Sequence, residues 1–430
     1  MDLLQTKVPS SPEPHRGTFD GWESDIDRQV AALESRLIEI RRYLHAHPEP
    51  AREERETSRF IAAQLTAAGL EPRLCRDGLG VVVEAALGQP AEGAPLIAIR
   101  ADLDALRIHD TKTTSYASQF PGLCHACGHD AHATMVLGAA LCATACSRTP
   151  VERPGVRLRF LFQPAEETSE GARWLVEQGA VEGVDAILGI HVDPERPLGT
   201  AGIRYGTLTA NCDEVEITVE GKGGHSARPH HTLDPIAAAA HVVCALYQFL
   251  PRSVDSRSPS VFSVGKIAGG TLPNVIPERV EILGTLRTLE AETRGVLKNR
   301  MEEIVHGVRE LSGTSIHLRF LTPIDTVHND RRVTAALETA SRRVLGNDGV
   351  QMISQPSMGG EDFSAYLTRV PGALLRIGCA PPGFAAPFLH APDFDVDERA
   401  LALGTRILLR AALILSLNDA TAPGPENYSI

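Results

Sequence analysis

Between residues 81 and 191 the sequence alternates short apolar runs with longer segments of helical spacing, and this limits the possible folds more than any other feature. Val81–Leu87, Leu96–Ala101, Val156–Phe162 and Ala186–His191 are short and predominantly apolar, as strands buried on both faces are. Ala131–Ala145 and Gly171–Gln178 carry the helical pattern between them. Two earlier helices are expected, from Trp22 to Ala46 and from Glu53 to Ala68, with His47-Pro48-Glu49-Pro50 ending the first. Strand and helix in alternation predict an α/β sheet with helices on both faces.

Near Asn211 the pattern changes. Val215–Val219 alternates apolar with polar residues. A helix pattern over Leu233–Leu250 follows, then strands over Val261–Ile267 and Val280–Arg287, a helix over Glu292–Leu311 and a strand over Ile316–Phe320. That order matches a ferredoxin-like split βαβ unit. Beyond Pro323 the first pattern resumes, with Arg332–Leu345, Ala373–Ile377 and Arg399–Leu415. A chain of 430 residues exceeds one typical core. The expected organisation is a loose N-terminal tail over 1–20, a main domain over 21–208 and 323–430, and an inserted domain over 209–322.

Bulk properties narrow the partners. The formal charge of −12 repels phosphate backbones and argues against nucleic acid. The most apolar stretch, Ala400–Leu417, is broken by Arg406 and Arg410, so no membrane span is expected. The segment Met1–Asp20 has no apolar signal core, and a cytoplasmic enzyme is the expectation. The cysteines Cys75, Cys124, Cys127, Cys142, Cys146, Cys212, Cys244 and Cys379 are scattered through a long chain, which argues against a disulfide framework.

The densest chemical signal is Cys124-His125-Ala126-Cys127-Gly128-His129-Asp130-Ala131-His132, just before an apolar helix. Thiols, imidazoles and a carboxylate at such a loop suit metal ligation. The Cys124/Cys127 pair also permits a redox motif. A haem attachment would need His where Gly128 stands, and a structural zinc site lacks a second CxxC. Phe162-Gln163-Pro164-Ala165-Glu166-Glu167 places two carboxylates after a buried strand, where α/β sheets collect ligands; a solvated loop pair is the plainer reading. His191 in Gly189-Ile190-His191-Val192 and His390 in Leu389-His390-Ala391-Pro392 could each be structural. Together, Cys127, His129, Glu166, Glu167, His191 and His390 suffice for a two-metal site with a free general base.

These segments resemble the amidohydrolase branch of the aminoacylase and carboxypeptidase metallopeptidase family, which includes hippurate hydrolase, N-acyl-amino-acid deacylases and hydrolases of indole-acetyl-amino-acid conjugates. The resemblance spans roughly Leu37 to Asp397. It rests on Leu44–Glu49, Arg100–Leu106, His125–His132, Gln163–Glu167, Gly189–Val192, Gly223-Gly224-His225, Asn274-Val275-Ile276-Pro277, Gly359-Gly360-Glu361-Asp362-Phe363 and Leu389–Pro392.

The resemblance implies a central mixed-sheet dinuclear metallohydrolase domain with an inserted α+β ferredoxin-like lid and dimerisation domain. It implies that Cys127, His129, Glu167, His191 and His390 bind two divalent ions, manganese or zinc first, cobalt or nickel next. Glu166 matches the general base, and Asp102 a carboxylate that orients a metal ligand. His225 matches a histidine that reaches a partner subunit's site, so a homodimer or higher homo-oligomer is implied. Asn274 matches a contact to the tetrahedral intermediate and Arg287 a partner for the substrate carboxylate. Read alone, Gly223–His225 could be a turn, Asn274 a turn residue before Ile276-Pro277, and Arg287 a solvent-facing strand residue.

The implied activity is hydrolysis of an N-acyl amino acid or similar small amide. The alternatives are a dipeptidase, a hydrolase of a non-peptide amide, and a non-catalytic metal-binding relative. A thiol redox protein would leave Glu166, Glu167, His191 and His390 unexplained. Arg107, Asp193 and Pro50-Ala51-Arg52 depart from the branch pattern near the expected site, which puts substrate choice in question.

Overall fold

The computed structural model describes residues 16–148, 155–381 and 388–417. An eight-stranded mixed sheet forms the centre. Across it, the strands run in the order Arg73–Leu74, Val81–Leu87, Val156–Gln163, Leu96–Asp102, Ala186–Pro197, Gly372–Ala380, Ala201–Ile203 and Val350–Met352. Leu96–Asp102, Val156–Gln163, Ala186–Pro197 and Gly372–Ala380 pair in parallel, whereas Val81–Leu87 joins antiparallel. The Leu96–Asp102 strand is buried along its whole length. That double burial is why it reads as a nearly continuous apolar run.

One face of the sheet packs the helices Arg16–Ala46, His129–Ser147 and Arg399–Ser416 into a core that includes Ile26, Leu37, Val136, Phe160, Ile190 and Leu408. Leu161, Leu175, Ile187, Phe363, Tyr366 and Leu374 form a smaller core. The first helix begins at Arg16, so residues 16–20 are helical and not part of a loose tail. A formed helix extends by one hydrogen bond for each residue fixed, so it can outrun the apolar pattern that reveals it. The rest of the expected tail lies outside the described residues.

Residues 211–324 build a second, antiparallel sheet in the order Ser260–Gly269, Arg279–Thr288, Asn211–Glu220, Ser315–Ile324. The helices Pro235–Phe249 and Ala291–Ser312 bury Val242, Leu246, Leu297 and Met301 against its Val215, Ile217, Val280 and Ile282. Pro235 stands in the first turn of its helix and Asp234 caps that turn by accepting from Ile236 and Ala237, an arrangement suited to an N-terminus. Gly224–His225 and Val275–Ile276 form a separate two-stranded ribbon.

Candidate metal centre and active site

The site lies where several central strands end. Leu96–Asp102 delivers Asp102 and leads to Asp104, Val156–Gln163 leads to Glu166 and Glu167, and Ala186–Pro197 carries His191. Between them the chain turns at Gly128 (φ 84°) to start the helix at His129. A side chain at residue 128 would be strained twice, because its Cβ would also come within 2.4 Å of Val192 Cγ2. Helix onset at His129, two residues earlier than the apolar pattern predicts, puts His129, Asp130 and His132 in one buried turn.

Donor atoms from distant segments converge here. Cys127 Sγ lies 3.6 Å from His191 Nε2, and His390 Nε2 lies 3.4 Å from Glu167 Oε1. His129 Nε2 is 3.9 Å from Glu166 Oε2 and 3.9 Å from Glu167 Oε1. Two ligands each about 2.0–2.3 Å from one ion lie about 3–4 Å apart, so this spacing fits shared cations. Cys127, His129 and His191 form one group of possible ligands, and Cys127, Glu167 and His390 another. Cys127 belongs to both groups.

The polar accounting agrees with a cation. His129 Nε2 is buried with no hydrogen-bond partner among the described residues, and Glu167 Oε1, equally buried, has only His390 Nε2 within 3.4 Å and no well-aligned donor. Such orphans are costly unless a ligand satisfies them. Burial pushes the Cys127 thiol up to about 12, so a thiolate here needs a positive neighbour. Burial, with Glu361 and Glu167 nearby, also holds the Glu166 carboxyl well above the usual range.

Neighbouring groups fix the ring orientations. His191 donates from Nδ1 to the carbonyl of Val192 at 2.7 Å, which leaves Nε2 facing Cys127. His129 Nδ1 donates to Asp104 Oδ1 at 3.1 Å, leaving Nε2 toward the glutamates. His132 has both nitrogens committed, Nδ1 to Asp102 Oδ1 at 2.7 Å and Nε2 accepting the Val192 N–H at 2.9 Å. His390 sits at φ 66°, and its backbone N–H reaches Ala126 O at 2.7 Å, which ties its loop to the Cys127 loop.

The expectation for Asp102 changes. Its oxygens are taken by His132 and by Arg100 Nη1 at 2.7 Å, and it lies 3.9 Å from His129 Nε2, beyond hydrogen-bond reach. The carboxylate that orients His129 is Asp104, which the sequence reading missed. Also missed was the role of Arg100. It is buried and binds Gln163 Oε1, Asp102, Glu361 and Asp362 at 2.7–3.0 Å, joining three of the motifs. A charge inside the apolar run Leu96–Ala101 was the available signal, because a buried guanidinium needs counter-ions.

The remaining expected residues lie apart from the cluster. His225 and Asn274 are exposed neighbours at the two-stranded ribbon, where Ser226 N–H donates to Asn274 O at 3.1 Å. Neither makes a hydrogen bond or ion pair with a cluster residue among the described residues. Arg287 is half-buried and donates to Met358 O at 2.9 Å, in the segment leading to Glu361. Cys124 and Cys127 are both free buried thiols; Cys124 lies 3.6 Å from Lys112 Nζ, whereas Cys127 faces His191. A cavity of about 610 Å³ has Val192 and Leu389, the chain neighbours of His191 and His390, in its wall, but no residue of the cluster itself.

A mixed α/β sheet that gathers thiol, imidazole and carboxylate donors beside a further buried glutamate defines a metal-dependent hydrolase class. Residues 98–414 match the model of peptidase family M20/M25/M40, and the chain belongs to that family, in its amidohydrolase branch. It is 42% identical over 392 residues to "Probable hydrolase sll0100" of Synechocystis sp., covering 90% of this chain and 98% of that protein. To "N-acetylcysteine deacetylase" of Bacillus subtilis it is 36% identical over 389 residues, covering 89% and 98%. Among solved structures, a dinuclear metal-binding M20 peptidase of Bacillus subtilis superposes with a TM-score of 0.75 at 33% identity, covering 90% of this chain and 99% of that one. The chain is an amide-hydrolysing enzyme. Among the described residues no helix is long and apolar enough to cross a membrane.

Proposed function

We propose that the protein removes the acyl group from an N-acyl amino acid, or a similar small amide, releasing a carboxylate and a free amine. Convergence of Cys127, His129, Glu167, His191 and His390 around buried, unpartnered donor atoms carries this reading. Those five side chains would hold two divalent cations, manganese or zinc first and cobalt or nickel next; a thiolate ligand favours zinc among them. Bound there, the ions would supply Lewis-acid activation of water and of the scissile carbonyl.

Glu166 is left free of the ligand set yet lies beside it. Its carboxylate takes the proton of the attacking water and passes it to the leaving nitrogen as the C–N bond breaks. Asp104 keeps His129 in the tautomer that presents Nε2. Asn274 contacts the tetrahedral intermediate, and Arg287 receives the amino acid's carboxylate when the unit spanning 209–322 closes as a lid over the domain formed by 21–208 and 323–430.

The oxyanion would be met by His225 of the partner subunit. Exposure of His225 in this chain, away from its own cluster, supports that arrangement. So does the Ser260–Gly269 edge strand, which is paired on one side only and exposes Val261 and Ile267. A second copy of the chain would cover such an edge.

Glu166→Gln tests the assignment. The variant is expected to bind metal like the parent while turnover falls by about 10²–10⁴-fold. Parent-like turnover would rule out Glu166 as the base.

A further inference from the structure

The cavity beside the cluster has two arginines in its wall, Arg196 and Arg376. Arg196 already has a carboxylate partner. It donates to Asp193 Oδ2 and to Gln351 Oε1, each at 2.9 Å, and its guanidinium lies over Gly202, where a Cβ would come within 2.6 Å of Nε. Asp193, the acid that departs from the aromatic residue of the branch pattern, is thereby neutralised.

Arg376 differs. It sits on the Gly372–Ala380 strand, in parallel register with His191 on one side and opposite Gly202 on the other. Residues in register on paired strands share a face of the sheet, so Arg376 projects on the face that carries His191. It is half-buried and makes no hydrogen bond or ion pair with another described residue. By contrast, Arg41, Arg100, Arg159, Arg294 and Arg410, all with little side-chain exposure, each hold a carboxylate. A guanidinium partly withdrawn from water with no anion beside it is costly, and the cost is recovered only when a ligand supplies the anion. Glu195 also lines the cavity but is exposed. The rest of the wall is mixed, with Val192, Leu208, Met352 and Phe388 beside Gln351, Ser354, Gln355 and Ser357.

We infer that Arg376 is a specificity residue that binds an anionic group on the acyl half of the substrate, so that the preferred amides are half-amides of dicarboxylic acids. This rests on the amidohydrolase reading above. Arg287, on the antiparallel sheet, is there assigned to the amino acid's carboxylate, which leaves the Arg376 cavity for the acyl group. The planar fork of arginine suits two-point contact with a carboxylate.

The test uses the metal-loaded full chain and one amino acid, chosen as the best from an N-acetyl panel. Its N-malonyl, N-succinyl and N-glutaryl derivatives are compared with the same compounds carrying a terminal carboxamide. At one of these lengths the parent is expected to prefer the acid over its carboxamide by about tenfold or more in kcat/KM, the scale of a charged hydrogen bond. Arg376→Gln should collapse that ratio toward one and Arg376→Lys should retain part of it. A ratio near one at every length in the parent, or an unchanged ratio in Arg376→Gln, overturns the inference, and the parent ratio decides even if a variant fails to fold. Hydrolysis of N-acetyl but of no dicarboxylic derivative overturns it while leaving the amidohydrolase reading intact. Absence of hydrolysis across the whole N-acetyl panel and across the dicarboxylic derivatives of the same amino acids removes both.

Discussion

Asp104 stands against His129, Oδ1 to Nδ1 at 3.1 Å, while its other oxygen accepts the backbone N–H of Glu167 at 2.9 Å. One carboxylate thus positions two of the five proposed ligands. Asp104→Ala frees the His129 ring and loosens the Glu167 loop. Metal affinity is expected to fall by about 10–100-fold, the usual cost of losing such a support. A competition titration with a chromophoric chelator reads this directly, and unchanged affinity would remove Asp104 from the site's architecture.

Arg100 carries a different burden. Its guanidinium binds Asp102, Glu361 and Asp362, all buried. Arg100→Met would leave three carboxylates without their cation. The expected loss of stability is about 3–5 kcal/mol in denaturant unfolding, because a broken buried ion pair costs more than an intact one contributes. A loss below 1 kcal/mol would show that the carboxylates repartner or take up protons without penalty.

His45 makes stability depend on pH. Burial opposes its charge, but Asp130, Asp110 and Cys124 outweigh that and raise its pKa from 6.5 to about 10. The folded state therefore holds a proton that the unfolded state releases more easily. The resulting stability is fully present below pH 6.5 and is lost as pH rises toward about 10, at no more than about 1.4 kcal/mol per pH unit. Unfolding free energies of the parent and of His45→Gln between pH 6 and 10 should diverge most at the acid end. Parallel curves would contradict the assignment.

Subunit exchange tests the role of His225. His225→Ala and Glu166→Gln should each be nearly inactive alone. Mixed under conditions that let subunits exchange, they form hybrids with one intact composite site, and activity should recover toward about a quarter of the parent's. No recovery, with hybrids demonstrated, would mean that His225 does not act across subunits.

Much of this was legible in the sequence because the buried strands carry it openly. Val81–Leu87 was placed to the residue, and Leu96–Asp102 and Val156–Gln163 to within one residue at the end. The short strands Ala201–Ile203 and Val350–Met352 were not, since three residues are too few to show a period. Nor could sequence separate Asp102 from Asp104. The strand ends at Asp102, so the two-residue alternation stops applying just where the choice matters. Cys127, His129, Glu167, His191 and His390 were gathered from local composition at strand ends and given their roles by a resemblance, and the fold brings their donor atoms together from segments far apart in the chain. Arg376 drew no notice, although one arginine in the apolar run Ala373–Ile377 is the same kind of signal as Arg100; its meaning comes from the strand beside it.

The most direct test of the account is metal-dependent amine release. Chelated enzyme is assayed on a panel of N-acyl amino acids, with and without added manganese, zinc or cobalt. The account predicts no release from the chelated protein and restored release of the free amino acid with at least one of these ions. Release that survives complete chelation, or none from protein shown to hold two ions, would contradict it.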